Sequence, residues 1–531
     1  MALRVVAISA PDRPTGKLGR TLTSRDPASL FNACRYAAFL ADNGIGPWGE
    51  SNWTGSRQNR RKTILLMDFL EEDMPTFESL LKKERPNFLL IGAMTLCLPG
   101  AIACAQKAKE ILGDKVCVVL GGWHATETIY FESRSKAVKH HASSPLRLIA
   151  EGHIKPLFDI VISGEGEYLI AKIGEIIDCL DGRNIPVSKI SDYLSLLADV
   201  PGNWIIGWVE SDQIVTIEGK GIPFDRNILV PICEPFGVQT SFNVFDGRLT
   251  AHTFSDIARG CVYDCTFCSE RSSVRGPLIQ IDTAAERLFR QFKSVEKVIK
   301  EDSPSLGASA FVEDSTLLAG SNMALLRLVD LLSNGGLNVR FGGQFTVDQV
   351  LKKIKIIQAL KKVGFDYIFI GIETGRPESI EGMSKIHPGE DQWLDRAERA
   401  IEALTGLEIA CGISLLFGMG ESRQDRLSLF RRIRKWQDFH NSPAPISINW
   451  AVQHPLRGND GGVSFRYTSW GTPVGPYLDA FQDFGEASLL YPIAGQIAPT
   501  LAEVEEVKTA YRELLKLSEA AIIKRKRKNN D

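Results

Sequence analysis

Cys261-Val262-Tyr263-Asp264-Cys265-Thr266-Phe267-Cys268 puts three thiols within eight residues of a 531-residue chain that holds ten cysteines in all. At this CxxxCxxC spacing one short loop can hold three irons of a cubane [4Fe–4S] cluster, and the fourth iron is left without a protein ligand. A molecule bearing both an amine and a carboxylate can chelate that open iron. Gly260 before the motif and the turn-forming Asp264 inside it suit a loop wrapped around a cluster. Zinc is the competing reading, but structural zinc takes four protein ligands from paired knuckles, and no second CxxC or spaced His pair is present. Three core cysteines meeting by chance is improbable at this density, and the loop is not otherwise apolar. The remaining seven (Cys34, Cys97, Cys104, Cys117, Cys179, Cys233 and Cys411) are scattered, mostly among apolar neighbours, and read as small core residues. Their number rules out a disulfide scaffold and fits a reducing compartment.

The motif closes the first strand of an α/β alternation. Strands are expected at Thr253–Arg259, Ala308–Glu313, Val339–Gln344, Tyr367–Glu373, Ile409–Phe417 and Ile446–Trp450. Helices are expected at Ala284–Lys300, Ala324–Ser333, Val347–Val363, Trp393–Thr405 and Gln424–Phe439. Five or six such units over about 200 residues are too few for a closed eight-fold barrel and fit a partial (β/α)6 barrel. A final helix, Leu501–Ile523, follows a Gly/Pro/aromatic stretch.

Upstream, Leu3–Ser9, Thr63–Phe69, Asn87–Met94, Val116–Leu120 and Asp159–Ser163 read as strands buried on both faces, separated by the helical patterns Pro27–Asn43, Thr76–Lys83, Ala101–Leu112 and Glu167–Leu180. This predicts a parallel, doubly wound, Rossmann-like sheet whose ligand lies at the carboxyl ends of the strands. The segments at those ends are Ser9, Gly92-Ala93-Met94-Thr95, Gly121-Gly122-Trp123-His124-Ala125-Thr126 and Gly164-Glu165-Gly166-Glu167, and their glycines let backbone amides approach a flat or phosphate-bearing ligand. The expected organisation is therefore an α/β chain: a Rossmann-like domain over 1–184, a linker with a small hairpin over 185–250, the partial barrel over 251–459, and a C-terminal cap over 460–531.

Sixty-two basic and 64 acidic side chains leave a net charge of −2, which gives no pull toward nucleic acid or an anionic membrane. The uncharged run 86–106 is broken by Pro99-Gly100 and reads as strand, loop and helix, with no membrane span. Met1–Ile8 lacks a secretory pattern, so a cytoplasmic enzyme is expected. His140-His141 and the terminal Lys524–Lys528 run read as surface and solvated tail.

The cysteine spacing, with Phe267 just before the third thiol, resembles the radical S-adenosylmethionine (SAM) superfamily over roughly residues 251–455. The resemblance implies that Cys261, Cys265 and Cys268 hold the cluster and that its open iron binds SAM. Phe311-Val312-Glu313-Asp314-Ser315 stands where an acid handles the SAM amino group, and either Glu313 or Asp314 fits. Gly371-Ile372-Glu373-Thr374-Gly375 looks like the strand-four motif whose acid faces the ribose. Ser414 to Glu421 is similar to the fifth-strand GxIxGxxE pattern, but begins with Ser.

The sheet domain ahead of it, with its GGxHxT-like loop and GEGE turn, resembles the cobalamin (B12)-binding branch of that superfamily over residues 1–180. Cobalamin-contacting positions implied are Ser9, Gly92, Met94, Thr95, Gly121, Gly122, Trp123, His124, Gly164, Glu165 and Gly166. A DxHxxG motif is absent from this domain, as is common in the branch; Asp438-Phe439-His440 lies in the other unit and reads as a helix end. For methylating members the resemblance implies two uses of SAM, one to methylate cobalt and one to generate the radical that opens a substrate C–H bond. Ring contraction, oxidation or cyclisation with the same cofactors is the alternative, and a non-catalytic sensor a more distant one. Methylthiolation of transfer RNA does not fit the scattered N-terminal cysteines. A small-molecule substrate and an electron donor such as flavodoxin or ferredoxin are the expected partners. Trp470, Tyr477, Phe481, Phe484 and Tyr491 would close the substrate side or pack the cap.

Overall fold

The computed structural model describes residues 3–15, 27–54, 63–132, 135–238, 240–257, 260–265, 267–271, 278–375, 383, 393–453, 465–470, 490–493 and 495–530. Its contacts divide into two compact units, Met1–Phe236 with Gln453–Pro473, and Gly237–Val452 with Val474–Asp531.

In the first unit the apolar runs become strands β1 (Val5–Ser9), β2 (Ile64–Leu66), β3 (Phe88–Gly92), β4 (Cys117–Gly121) and β7 (Ile160–Gly164), all parallel. A separate hairpin pairs β5 (Ile129–Glu132) with β6 (Ala137–His140). The order β2-β1-β3-β4-β7 reverses direction at β1, the flavodoxin-like winding that opens a crevice at the carboxyl ends of the strands flanking the switch. Val5, Val6, Ala7 and Ile8 of β1 are all fully buried, because helices cover both faces. Helices Pro27–Asp42 and Glu167–Gly182 pack against each other, as do Leu70–Glu84 and Leu98–Leu112.

The expected linker is corrected here. Within 185–250, β8 (Trp204–Glu210) and β9 (Gln213–Glu218) form an antiparallel hairpin that extends the first sheet beyond β7. Without a crossover helix to announce it, and with Pro and Gly on both sides, the hairpin looked detached in the sequence.

The second unit has a short antiparallel edge strand, β10 (Thr240–Ser241), followed by β11 (Leu249–Thr253), β12 (Ala308–Val312), β13 (Val339–Phe345), β14 (Phe365–Glu373), β15 (Ala410–Phe417) and β16 (Ile446–Trp450). From β11 onward every strand is parallel to its sequence neighbour and pairs with it, which is the partial (β/α)6 barrel expected. The first strand is shifted: it ends at Thr253, where it was expected to begin. Asp256 has φ +56°, a left-handed conformation that no strand continues through. Ala258 and Arg259 lie outside the described residues. The helix expected over 347–363 breaks at Lys353 into Val347–Lys352 and Ile354–Lys362.

Alternation along these strands separates packing from chemistry. Phe341 stacks on Phe292 of helix Ala284–Asp302, and Phe417 meets Phe430 of helix Arg423–His440, so that set of positions faces the helices. Ile368, Ile370, Ile413 and Ile448 share that face and are fully buried. The other face is mixed. Its floor is an aromatic plug of Phe245, Phe311 and Tyr367, and above it lie Gln344, Gly371, Ser414 and Ser447, all half-buried. Gly371, Ser414 and Ser447 are directly in register across β14, β15 and β16.

Helix Leu501–Asn530 belongs to the second unit: Arg426 pairs with Glu503 at 2.5 Å, and Gln437 Nε2 donates to Ser518 Oγ at 2.9 Å. Trp470 donates to the Leu96 carbonyl in the first unit. Tyr477, Phe481 and Phe484 lie outside the described residues. No helix among the described residues is long and apolar enough to cross a membrane.

Candidate active site

The cysteine loop leaves the carboxyl end of β11 and folds back on itself. Cys261 N–H donates to the Glu270 carbonyl at 2.8 Å, Cys268 N–H to the Cys265 carbonyl at 3.0 Å, and Glu270 N–H to Cys268 Sγ at 3.4 Å. Ser315, just past β12, donates to the Glu270 carboxylate at 2.9 Å and anchors the loop's far side. Cys265 is buried; Cys261, Phe267 and Cys268 are half-buried. Burial, with the Glu270 charge adding to it, pushes the Cys268 thiol up to about 12. Such a thiol stays protonated at neutral pH until a cation replaces the proton. A donor set of three thiols, with the Cys261 and Cys268 amides already fixed to carbonyls, fits a positively charged iron–sulfur cluster. The sulfurs would be its ligands, and Cys268 would give up its proton on binding.

The acids at the strand ends separate into two kinds. Asp314 is fully engaged in the fold: it accepts from Ser255 N–H at 3.0 Å, Ser255 Oγ at 2.6 Å and Leu318 N–H at 3.1 Å. It ties the β11 end to the turn after β12, and burial pushes its carboxyl up to about 6. Glu421 behaves alike. It accepts from the Gly418 and Met419 amides at 2.8 and 3.0 Å and pairs with Arg426, so its carboxylate shapes the turn after β15. Both positions were expected to contact a ligand, and both are spent on backbone amides.

Glu313 and Glu373 differ. Glu313 lies one residue past β12, on the inward side, with its side chain 22% exposed and Oε1 2.5 Å from Nδ1 of His252 on β11. Glu373 ends β14 at φ +63°, where the register with β15 slips between Gly371 and Glu373. A non-glycine residue held there costs on the order of 1–3 kcal/mol and re-aims the side chain, a strain typical of ligand sites. Ser414 sits between Gly371 and Ser447 on the inward face. The inward Glu313 carboxylate and the hydroxyls of Ser414 and Ser447, at the mouth next to the cysteine loop, suit a cationic, hydroxyl-bearing ligand. His252 and Ser447 were missed in the sequence; placing the first strand four residues late put His252 outside it.

In the first unit, Ser9, Gly92 and Gly121 are mutual register partners at the ends of β1, β3 and β4. They form a row with a single small side chain. A Cβ on Gly121 would meet only the Ile162 carbonyl, at 3.9 Å, an ordinary contact that leaves room for a methyl group. Gly122 is different: at φ +96° its Cβ would lie 2.7 Å from the Ala93 carbonyl, and His124 N–H donates to that same oxygen at 3.0 Å. Gly164, at φ +90°, is pressed against the Asn203 backbone. The polar side chains turn into the protein. His124 is fully buried between Thr95 Oγ1 (3.2 Å) and the Ser143 carbonyl (2.9 Å), and burial pushes it down to about 4. Thr95 donates to Glu127 at 3.0 Å. Glu165 pairs with Arg226 and accepts from Asn203 N–H at 2.8 Å. Thr95, His124 and Glu165 therefore brace the loops, while Ser9, Gly92 and Gly121 leave a low ledge, flanked at Gly92 by Leu30, whose Cδ1 lies 3.4 Å from where a Cβ would stand. Met94, Trp123 and Gly166 lie in the same three loops.

A parallel half-barrel with three thiols after its first strand and an inward acid at its mouth could hold an iron–sulfur centre and a cationic co-substrate. Residues 256–433 match the family model of the Radical SAM superfamily. It is 20% identical over 413 residues to the anaerobic magnesium-protoporphyrin IX monomethyl ester cyclase of Rubrivivax gelatinosus, covering 76% of this chain and 59% of that protein. It is 22% identical over 400 residues to the hopanoid C-3 methylase of Methylococcus capsulatus, covering 75% of this chain and 64% of the relative. The chain thus spans less than two thirds of either curated relative. Among solved structures it is similar to the radical S-adenosylmethionine methyltransferase TsrM from Kitasatospora setae, whose structure holds cobalamin and a [4Fe–4S] cluster. That similarity is 12% identity and a TM-score of 0.48, over 85% of this chain and 73% of TsrM.

Proposed function

We propose that this chain is a cobalamin-dependent radical SAM enzyme that methylates an unactivated carbon of a small specialised metabolite in the cytoplasm. The observation that carries the reading is the bare row Ser9–Gly92–Gly121 at the carboxyl edge of the first sheet, in a chain whose second sheet is a radical SAM half-barrel. When bound, the cluster and SAM supply one-electron cleavage that starts radical chemistry, and the corrinoid supplies a methyl donor.

The chain's own residues hold and orient. Cys261, Cys265 and Cys268 ligate three irons and leave the fourth open. Glu313 takes the SAM ammonium, Glu373 the ribose hydroxyls, and Phe267 and Ser414 line the same mouth. Asp314 and Glu421 keep the two flanking turns in place, which fixes the reacting groups against one another. Backbone atoms along the ledge approach the corrin, with Gly121 giving the clearance. His124 braces its loop from inside and does not serve as a cobalt ligand.

A second reading, supported by the cyclase relative, keeps these cofactors and ends in cyclisation, oxidation or ring contraction. Protein purified without air and reconstituted with iron, sulfide and hydroxocobalamin separates the two. A methylase yields both S-adenosylhomocysteine and 5′-deoxyadenosine with product; the alternative yields only 5′-deoxyadenosine. Absence of a corrinoid absorption band on the reconstituted protein would overturn the cobalamin reading. A flavodoxin or ferredoxin would supply the electron, and SAM turnover excludes a mere sensor.

A further inference from the structure

His252 is an inward residue of β11, and its register partner on β12 is Phe311. Glu313 lies two residues beyond Phe311, so the imidazole reaches it along the diagonal that joins long side chains on one sheet face. Nδ1 stands 2.5 Å from Glu313 Oε1, and the two side chains are 11% and 22% exposed. The ring of Phe242 meets the imidazole edge-on, with centroids 5.9 Å apart, and also packs on Phe311. The histidine is thus wedged on its own strand by the aromatic floor and aimed at one oxygen of the acid. An ionised carboxylate only accepts, so Nδ1 carries the proton of this bond.

We infer that His252 is the positioning residue for Glu313: its Nδ1–H fixes the carboxylate in the single orientation that receives the ammonium group of the co-substrate. This rests on the SAM reading above. The imidazole's hold restricts rotation about the carboxylate's last two bonds, motion that binding would otherwise have to freeze. The neighbouring Asp314 reaches the same rigidity through the Ser255 and Leu318 amides, so it has no need of a histidine and no oxygen aimed inward. Deleting the imidazole should therefore weaken co-substrate binding while leaving the later chemistry alone.

The test compares wild type, His252→Ala, His252→Asn and His252→Gln, all reconstituted with cluster and matched for iron content and circular dichroism. The SAM dissociation constant and the kcat of SAM consumption are read separately. Asparagine places an amide N–H where Nδ1 stands; glutamine reaches past it. The expected result is a roughly tenfold weaker affinity for His252→Ala and His252→Gln at nearly unchanged kcat, with His252→Asn within about twofold of wild type; tenfold is about 1.4 kcal/mol. If His252→Ala does not take up iron, the Asn–Gln pair decides alone. Equal SAM affinity in all folded variants, or Asn as weak as Gln, overturns the assignment while the SAM reading stands. Wild type that holds its cluster but binds no SAM overturns both.

Discussion

The carboxyl edges of the two sheets present opposite kinds of surface to a ligand. The first sheet subtracts: Ser9, Gly92 and Gly121 line up with almost no side chain, and the polar groups of the adjoining loops, His124, Thr95 and Glu165, are turned inward and spent on one another and on backbone. The second sheet adds: the Glu313 carboxylate, hydroxyls and thiols stand at the strand ends, and the backbone is strained where β14 ends at Glu373. A surface stripped of side chains can select only by shape. One built from charged groups selects by charge and hydrogen-bonding pattern. A wide, nearly neutral ring system suits the first edge, a small cation the second.

The two edges should therefore fail independently. The largest effect is expected for Cys265→Ala, which removes the most buried of the three proposed iron ligands: SAM consumption should fall at least 1,000-fold, roughly 4 kcal/mol of barrier, with corrinoid uptake unchanged. Loss of both in one step, with secondary structure intact, would break the comparison.

Acid should act on the two units with opposite signs. The His124 imidazole is held well below its ordinary 6.5, at about 4, so below pH 6.5 the native state binds fewer protons than the unfolded chain. The stability this contributes is whole above pH 6.5 and is lost as pH falls toward 4, on the order of 3 kcal/mol. Asp314 is held above its ordinary 3.8, at about 6, so between those values the native state binds more protons. Its contribution is lost as pH rises through that window, roughly 2–3 kcal/mol. Hydrogen exchange at pH 4.5 and 6.5 reads each sheet separately. Acidification should weaken β3 and β4, and should stabilise β12 relative to the same strand in Asp314→Asn. The same sign in both sheets would show that one of these groups is not buried as described.

Gly122→Ala and Gly121→Ala sharpen the account of the ledge. At Gly122 a methyl group meets the Ala93 backbone and a positive φ must be kept, so a loss of about 2 kcal/mol is expected in urea titration. At Gly121 the methyl group makes only an ordinary contact with the Ile162 carbonyl, so stability should change by about 0.5 kcal/mol or less while corrinoid affinity drops. Unchanged corrinoid affinity in Gly121→Ala would remove the ledge from the binding surface.

Much of this was legible in the sequence, for identifiable reasons. Parallel strands buried on both faces are unbroken aliphatic runs, so β1, β3, β4 and β7 stood out, and the three cysteines declared their own chemistry. The hidden parts were those set by non-local partners. Asp314 reads like a ligand acid until Ser255 and Leu318 claim it; Glu421 does so until Gly418, Met419 and Arg426 do. Strand β11 alternates Thr250 and His252 with Ala251 and Thr253, so it lacks the aliphatic density that marks its neighbours, and its histidine escaped notice.

The alternation along β12 to β16 has a further consequence. Since one set of positions is committed to the helices and the other, above the aromatic plug, faces the mouth at Gln344, Gly371, Ser414 and Ser447, these upper inward residues can be exchanged without disturbing the packing that keeps the half-barrel folded. Such an arrangement separates what must be inherited from what can be tried, and lets one scaffold pass from one transformation to another by changes at alternate positions on a few strands.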